Sequence, residues 1–366
     1  MKVLQVTSSR TWSGGTEQCL LLSKYMNALG VKTDILCFSE SQIYKRANEL
    51  GIRTRVFPNT KKLDFSEAKK LASILEEYDV VNTHIPLAHW FVWTAFPFIG
   101  RKSKPKLVYT RRVLYDISVF SAFTKYNIFV DALIGISKAI CEKLRKYPPL
   151  KRKVFYIPSG VELDRFSLRK VTLDLKRVLG IDEDTLVITN VANFQEVKGH
   201  SFLLAAFRKV LDSLKKRKLI LLLVGRGTNS SNALGLIKKF NLEKNVMPLG
   251  FRKDIPEILG ITDVFVFPSV EEGLGSSLLQ AMAMERLVVA SDAGGIKNYL
   301  IPDVNGIMVE RGSVESLYRG LVKAVKILGT PEAERLKREA GKTAKKFDIK
   351  RVTEKTLELY REILNG

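Results

Sequence analysis

Thr262-Asp263-Val264-Phe265-Val266-Phe267-Pro268-Ser269-Val270-Glu271-Glu272-Gly273-Leu274-Gly275-Ser276-Ser277-Leu278-Leu279-Gln280-Ala281-Met282-Ala283 carries a short β-rich run into a proline, a glycine loop and a helical pattern. Proline stops the strand, so Glu272 falls on the loop that leaves a strand's carboxyl end. In open α/β sheets that is where ligands bind. Gly273 and Gly275 allow the backbone to approach a ligand in conformations that side chains forbid, and the N–H groups of the helix's first turn point at it. A polyhydroxyl ligand carrying phosphate fits such a place. The plainer reading is a solvated glutamate on an ordinary strand–loop–helix.

The same unit recurs along the chain. Strands are expected near 2–7, 33–38, 53–56, 79–83, 106–110, 131–135 and 154–157, with amphipathic stretches between them. A second series follows near 186–191, 219–224, 245–249, 263–267, 287–290 and 307–309. Such βαβα alternation predicts parallel sheets covered by helices on both faces. The rhythm breaks at Tyr147-Pro148-Pro149-Leu150, and Pro158-Ser159-Gly160 leads into Asp164-Arg165-Phe166. The expectation is an α/β chain of two doubly wound, Rossmann-like domains, 1–165 and 166–349, facing across a cleft. The helical pattern 350–366 is long enough to pack back on the first domain. A length of 366 residues gives each domain enough chain for its own core.

Apolar residues at 46% and charged residues at 27% describe a globular protein. No apolar run is long enough to span a bilayer, and the first residues pattern as a strand, so a cytoplasmic location is expected. Three scattered cysteines and three histidines offer neither a disulfide framework nor a dense ligand set. The net charge of +22 draws the chain toward polyanions without saying which. Basic clusters stand at Arg101-Lys102 with Lys104 and Lys106, Arg111-Arg112, Lys143 with Arg145-Lys146, and Lys151-Arg152-Lys153. They read as a contact for an anionic surface or as a diffuse solubility bias. Basic residues are not interleaved with a stacking motif, and no nucleic-acid recognition module is visible, so no nucleic-acid partner is expected.

Two further segments can carry chemistry. Ser13-Gly14-Gly15-Thr16-Glu17 links the first strand to a helix expected at 18–29, an arrangement suited to a phosphate or sugar. It lacks the spacing of a dinucleotide fingerprint, and no P-loop occurs elsewhere. Asn193-Phe194-Gln195-Glu196-Val197-Lys198-Gly199-His200 puts Lys198 beside a helix N-terminus, the end that a surface lysine normally avoids. That placement suggests an anion between them, the alternative being a solvated lysine beside a tight turn.

Gly14-Gly15, Lys198-Gly199, Gly225-Arg226-Gly227, Gly250-Phe251, Glu272-Gly273-Leu274-Gly275, Gln280-Ala281-Met282-Ala283, Gly294-Gly295 and Asn305-Gly306 occur in the order seen in retaining GT-B glycosyltransferases of family 4. The chain resembles that family along essentially its whole length, most specifically in its second half. The resemblance implies a nucleoside diphosphate sugar as donor substrate, held mostly by the second domain, with the acceptor held mostly by the first. It implies that Lys198 neutralises the donor diphosphate and that Glu272 accepts hydrogen bonds from donor sugar hydroxyls, assisted by the amides of Gly273, Leu274, Gly275 and Ser276. Gly14 and Gly15 would cover the diphosphate once the domains close, and the backbone at Gly250 and Phe251 would face the base. No cofactor and no metal are expected; Asp182-Glu183-Asp184 reads as a solvated turn.

The sequence departs from the family at defined positions. Asn193 stands where an arginine is frequent, and Gln280 replaces the second acid, a weaker partner for a ribose hydroxyl. In Thr110-Arg111-Arg112-Val113 the first-domain histidine gives way to Arg112, which binds an anion but is no base. His84, on the loop after strand 79–83, is either an acceptor-side residue or a structural histidine. Trp90-Phe91-Val92-Trp93 and Phe96-Pro97-Phe98-Ile99, followed by Arg101-Lys102, form either a membrane-facing edge or a buried helix. The expected function is retaining transfer of a hexose-type sugar to a saccharide or lipid-linked acceptor in cell-surface glycan or lipopolysaccharide synthesis, peripheral on the inner face of the cell membrane. A GT-B epimerase or phosphorylase shares the fold, and a non-catalytic sugar-nucleotide or polyanion-binding protein is the rival from another class.

Overall fold

Consecutive apolar residues, as in Leu219-Ile220-Leu221-Leu222-Leu223-Val224, make strands buried on both faces. Helix-bearing connections return the chain to the same end before each new strand, so neighbours pair in parallel. The computed structural model describes residues 1–58, 65–100, 104–167 and 174–366. Arg101 and Lys102, the start of the first basic cluster, lie outside them. The chain divides into two units, Met1–Gly160 with Ile349–Gly366, and Val161–Asp348.

The first unit runs β1 (Lys2–Val6), α1 (Gly14–Ala28), β2 (Lys32–Cys37), α2 (Gln42–Glu49), β3 (Thr54–Val56), α3 (Phe65–Leu75), β4 (Val80–Thr83) and α4 (Pro86–Ala95). It continues through β5 (Lys106–Arg111), α5 (Val119–Phe123), β6 (Val130–Gly135), α6 (Lys138–Arg145) and β7 (Val154–Tyr156). Its strands form one sheet in the order β3-β2-β1-β4-β5-β6-β7, every pair parallel. The second unit runs α7 (Leu175–Val178), β8 (Leu186–Val191), α8 (His200–Ser213), β9 (Leu219–Val224), α9 (Ser231–Lys239), β10 (Val246–Gly250) and α10 (Ile255–Gly260). Then come β11 (Val264–Phe267), α11 (Ser276–Ala283), β12 (Leu287–Ser291), β13 (Ile307–Val309), α12 (Val314–Ile327) and α13 (Pro331–Lys345). Its sheet is ordered β10-β9-β8-β11-β12-β13, again parallel throughout.

The last helix, α14 (Ile349–Asn365), belongs to the first unit. Ile349, Val352, Leu357 and Tyr360 are buried with Val3, Leu22, Val80, Val108 and Ile134 in one apolar cluster. Burying such side chains contributes roughly 1.5–3 kcal/mol each, so α14 is part of that core. In the second unit Leu203, Phe207, Leu221, Val266, Val289 and Leu321 anchor the corresponding cluster.

One expectation changes. Helix α1 starts a turn earlier than 18: Ser13 caps it through a reciprocal bond pair with Thr16, so Gly14 and Gly15 are its first turn and not a loop. In the aromatic run, Phe91, Val92, Phe96 and Ile99 are buried, and Trp93 donates to the carbonyl of Ile128. Helical periodicity turns one face of that run into core, as the buried-helix reading expects, while Trp90 stays 40% exposed on the other.

Candidate active site

In each sheet the strand order reverses beside the first strand, between β1 and β4 and between β8 and β11. Loops leaving the carboxyl ends on either side of such a reversal diverge and open a crevice. In the second unit those two loops carry Lys198 and Glu272. The loop after β8 ends in a single 3₁₀ turn, Glu196–Lys198, followed by Gly199 at φ 72°. A Cβ on Gly199 would lie 2.1 Å from the carbonyl oxygen of Pro268, at the end of β11. Only glycine permits both this left-handed turn and this approach. The closeness brings the two loops together, and the amide of Val270 donates to the carbonyl of Val197 at 2.8 Å.

The Lys198 ammonium Nζ stands 2.7 Å from Glu272 Oε2, with both side chains mostly enclosed. Glu272 Oε1 accepts from the amide of Gly273 at 3.0 Å, and its main-chain carbonyl accepts from the amide of Gly295 at 3.1 Å. The Gly273 amide is thus occupied by the adjacent carboxylate. Gly275 caps α11 at φ 85°, and the Tyr299 hydroxyl donates to the Leu274 carbonyl at 2.7 Å, holding the loop from behind. The Leu274 side chain is buried, so only its backbone faces the loop. Ser276 opens α11, Gln280 lies half-buried one turn further, and Ser277 Oγ donates to the Val191 carbonyl, pinning the helix start to β8.

The remaining positions lie at neighbouring strand ends. Asn193 Oδ1 accepts from the amide of Arg226 at 3.1 Å, so Asn193 braces the loops after β8 and β9. Gly250 closes β10 at φ 65°, and the exposed Phe251 ring lies under the Arg226 guanidinium at 5.5 Å. Arg226 stands in the Gly225-Arg226-Gly227 motif, which by itself assigns it no role; its stacking on Phe251 and its amide hydrogen bond to Asn193 add it to the candidate site. Asp182 and Asp184 are exposed and pair with Lys218, as a solvated turn should. Among the described residues no group of three or more His, Cys, Asp or Glu side chains could hold a metal ion.

In the first unit Arg112, just beyond β5, donates through Nη1 to Ser159 Oγ at 2.8 Å and through Nη2 to His84 Nδ1 at 3.0 Å. Arginine only donates, so His84 keeps its proton on Nε2, which donates to Gln5 Oε1 at 2.6 Å. Burial, with the Arg112 charge adding to it, holds the His84 imidazole well below its usual pKa. His84 is fully enclosed with both ring nitrogens engaged, the arrangement of the structural-histidine alternative: it braces Arg112. Gln5 also accepts from Asn82 at 3.1 Å, and its amide nitrogen lies 3.4 Å from the Tyr360 hydroxyl of α14. This network of Gln5, Asn82 and Tyr360 had no sequence signal because its members are 77 and 355 residues from Gln5.

Arg112 has no carboxylate partner among the described residues; its Nε is enclosed and without a hydrogen-bond partner, and burial pushes its pKa down to about 10. A Cβ on Gly15 would meet Arg112 Cδ at 3.3 Å, so the guanidinium packs under the first turn of α1. An uncompensated cation beside a helix N-terminus favours an anion there.

Residues 172–343 match the profile of the glycosyl transferases group 1, and residues 12–165 match that of glycosyltransferase family 4. The UDP-Gal:alpha-D-GlcNAc-diphosphoundecaprenol alpha-1,3-galactosyltransferase of Escherichia coli is 27% identical over 79% of this chain and 76% of its own. The N-acetyl-alpha-D-glucosaminyl L-malate synthase of Bacillus anthracis is 22% identical over 82% and 80%. A glycosyltransferase from Rickettsia africae superposes with a TM-score of 0.88 at 25% identity, covering 100% of this chain and 99% of that one. Anabaena HepE, solved with UDP and glucose, gives 0.85 at 19% identity over 99% and 100%.

Proposed function

Because the chain belongs to the group 1, family 4 type of GT-B glycosyltransferases, we propose that it moves a hexose-type sugar from a nucleoside diphosphate to a saccharide or lipid-linked acceptor, with retention of anomeric configuration and without a metal. The acceptor is offered at an anionic membrane surface during cell-surface glycan or lipopolysaccharide synthesis. One observation carries the reading: Lys198 and Glu272 meet at 2.7 Å on the two loops that flank the strand reversal of the second unit. The name of the Escherichia coli relative supports it, since an α-linkage made from an α-linked sugar nucleotide keeps the configuration.

Negative charge grows on the leaving diphosphate as the glycosidic bond breaks, and a pre-placed ammonium offsets it where little water competes. Lys198 is that ammonium. Glu272 accepts from sugar hydroxyls and sets the orientation of the ring. Arg226 and Phe251 offer a cation and a flat apolar face to the base, and the first turn of α1 with Arg112 supplies a second anion site in the first unit. Arg112 cannot act as a base, so no proton transfer is assigned to it.

The reading is tested by incubating the protein with UDP-, GDP- and ADP-hexoses and a lipid-linked saccharide in the presence of a chelator, and following the anomeric proton by NMR. An α-linked product from an α-linked donor is expected. An inverted product, or activity abolished by the chelator, overturns the corresponding part of the proposal.

A further inference from the structure

Helix α5 is built inside out. Of Val119, Phe120, Ser121, Ala122 and Phe123, only Ala122 is buried. Phe120 is 77% exposed, Val119 65% and Phe123 50%, while the small residues Ser121 and Ala122 turn inward. A helix that packs on a sheet does the reverse. Tyr115, Ile128 and Phe129 extend the apolar surface on either side, so six of the nineteen large apolar side chains that the described residues expose fall between residues 115 and 129. A soluble surface scatters such side chains singly, and a cluster marks an interaction site.

The exposure is held in place. Before the helix, the Tyr147 hydroxyl donates to the carbonyl of Ile117; after it, Trp93 donates to the carbonyl of Ile128. Phe129 sits at φ 67°, a conformation that a bulky residue adopts only under constraint. Lys104 lies 5.2 Å over its ring. Charge identifies the occupant. Between residues 104 and 153 the chain has twelve lysines and arginines against three acids. Two of those acids are already paired, Asp116 with Lys143 and Asp131 with Lys106. A second copy of the chain would bring the same surplus of positive charge and be repelled. A sheet of anionic headgroups over an apolar interior matches both features.

We propose that α5 and its flanking residues 115–129 dock the first unit onto an anionic lipid bilayer, with Val119, Phe120 and Phe123 entering the acyl boundary and the surrounding basic residues meeting the headgroups. The inference deepens the reading that the acceptor is offered at a membrane, and it places the contact on α5, where the exposed apolar side chains cluster.

Flotation with phosphatidylcholine vesicles, with and without phosphatidylglycerol, at low salt tests it. The full chain is expected to bind the anionic vesicles at least about tenfold better than the neutral ones. The triple variant V119S/F120S/F123S, and to a lesser degree Phe120→Ser alone, should lose most of that binding while keeping the circular dichroism spectrum and the thermal shift caused by nucleoside diphosphate. Absence of wild-type binding to anionic vesicles overturns the proposal, as does a triple variant that binds like wild type. Light scattering that shows a dimer which the triple variant converts to a monomer assigns the face to a second copy and overturns it too. Loss of the nucleotide-induced shift in the wild type would instead strike the transferase reading and leave the vesicle result standing.

Discussion

Opposite outcomes are expected when the two ends of the Lys198–Glu272 pair are removed. At 2.7 Å and an effective dielectric near 20, the pair attracts by about 6 kcal/mol before desolvation is counted. Side-chain exposures of 21% and 13%, and the water each charge gives up, reduce the net coupling to about 1–3 kcal/mol. A double-mutant cycle of Lys198→Ala, Glu272→Gln and both together, followed by urea unfolding of the second unit's signal, should return a coupling in that range. Ligand binding separates their roles. Glu272 neutralises the ammonium that a diphosphate needs, so Glu272→Gln should bind bare nucleoside diphosphate as tightly as wild type or up to about tenfold tighter, a difference of about 1.4 kcal/mol. Sugar transfer by the same variant should fall by about 10²-fold or more. Lys198→Ala should lose about 10- to 100-fold in diphosphate affinity and more in kcat. Isothermal titration and a transfer assay read both. Equal diphosphate affinity in wild type and Lys198→Ala, with coupling below about 0.3 kcal/mol, would refute the assignment.

Gly199→Ala places a Cβ 2.1 Å from the Pro268 oxygen in a left-handed turn, so a loss of about 2–4 kcal/mol in unfolding free energy is expected, together with transfer activity, because the two loops must separate; wild-type stability in this variant would contradict the close approach. Tyr299→Phe removes the hydroxyl that holds the Leu274 carbonyl and should cost about 1–2 kcal/mol, read by urea titration, with donor KM rising more than acceptor KM. All three imidazoles are depressed by burial, His89 to about 3, His200 to about 4 and His84 well below its usual range. The folded chain then lacks protons that the unfolded chain takes up, so stability is intact above about pH 6.5 and falls below it by up to about 4 kcal/mol per pH unit. Imidazole Cε1–H resonances that titrate between pH 8 and 5 would overturn this. Arg112→Met removes the cation facing His84, so the His84 pKa should rise toward its usual value while remaining depressed by burial; an unchanged pKa by NMR would deny the contact.

Strand positions and their crossover pattern were legible because each depends on a few consecutive residues. The strands at 186–191, 219–224 and 307–309 have the bounds that their apolar runs predict. The helix at Gly14 was read a turn late because glycine is a poor helix former on average, and only the reciprocal bonds of Ser13 with Thr16 show why it starts there. The aromatic run 90–99 carries the same composition whether it faces lipid or core; the burial of Phe91, Val92 and Phe96 comes from packing that sequence spacing leaves open.

From its residues alone the chain specified two parallel α/β units and placed Lys198 and Glu272 at strand carboxyl ends, since apolar period, proline stops and glycine turns act over short stretches. Tertiary structure decided what local pattern cannot encode. Setting β8 beside β11 brought two side chains 74 residues apart to ion-pair distance. The meeting of β4, β5 and α14 enclosed Arg112 with His84 and left it without an acid among the described residues. The anchoring of residue 117 by Tyr147, just after α6, and of residue 128 by Trp93 of α4 fixed the segment that carries the outward apolar face of α5. Each of these depends on which distant segments share a sheet edge or a core, and that is settled only when the whole unit packs.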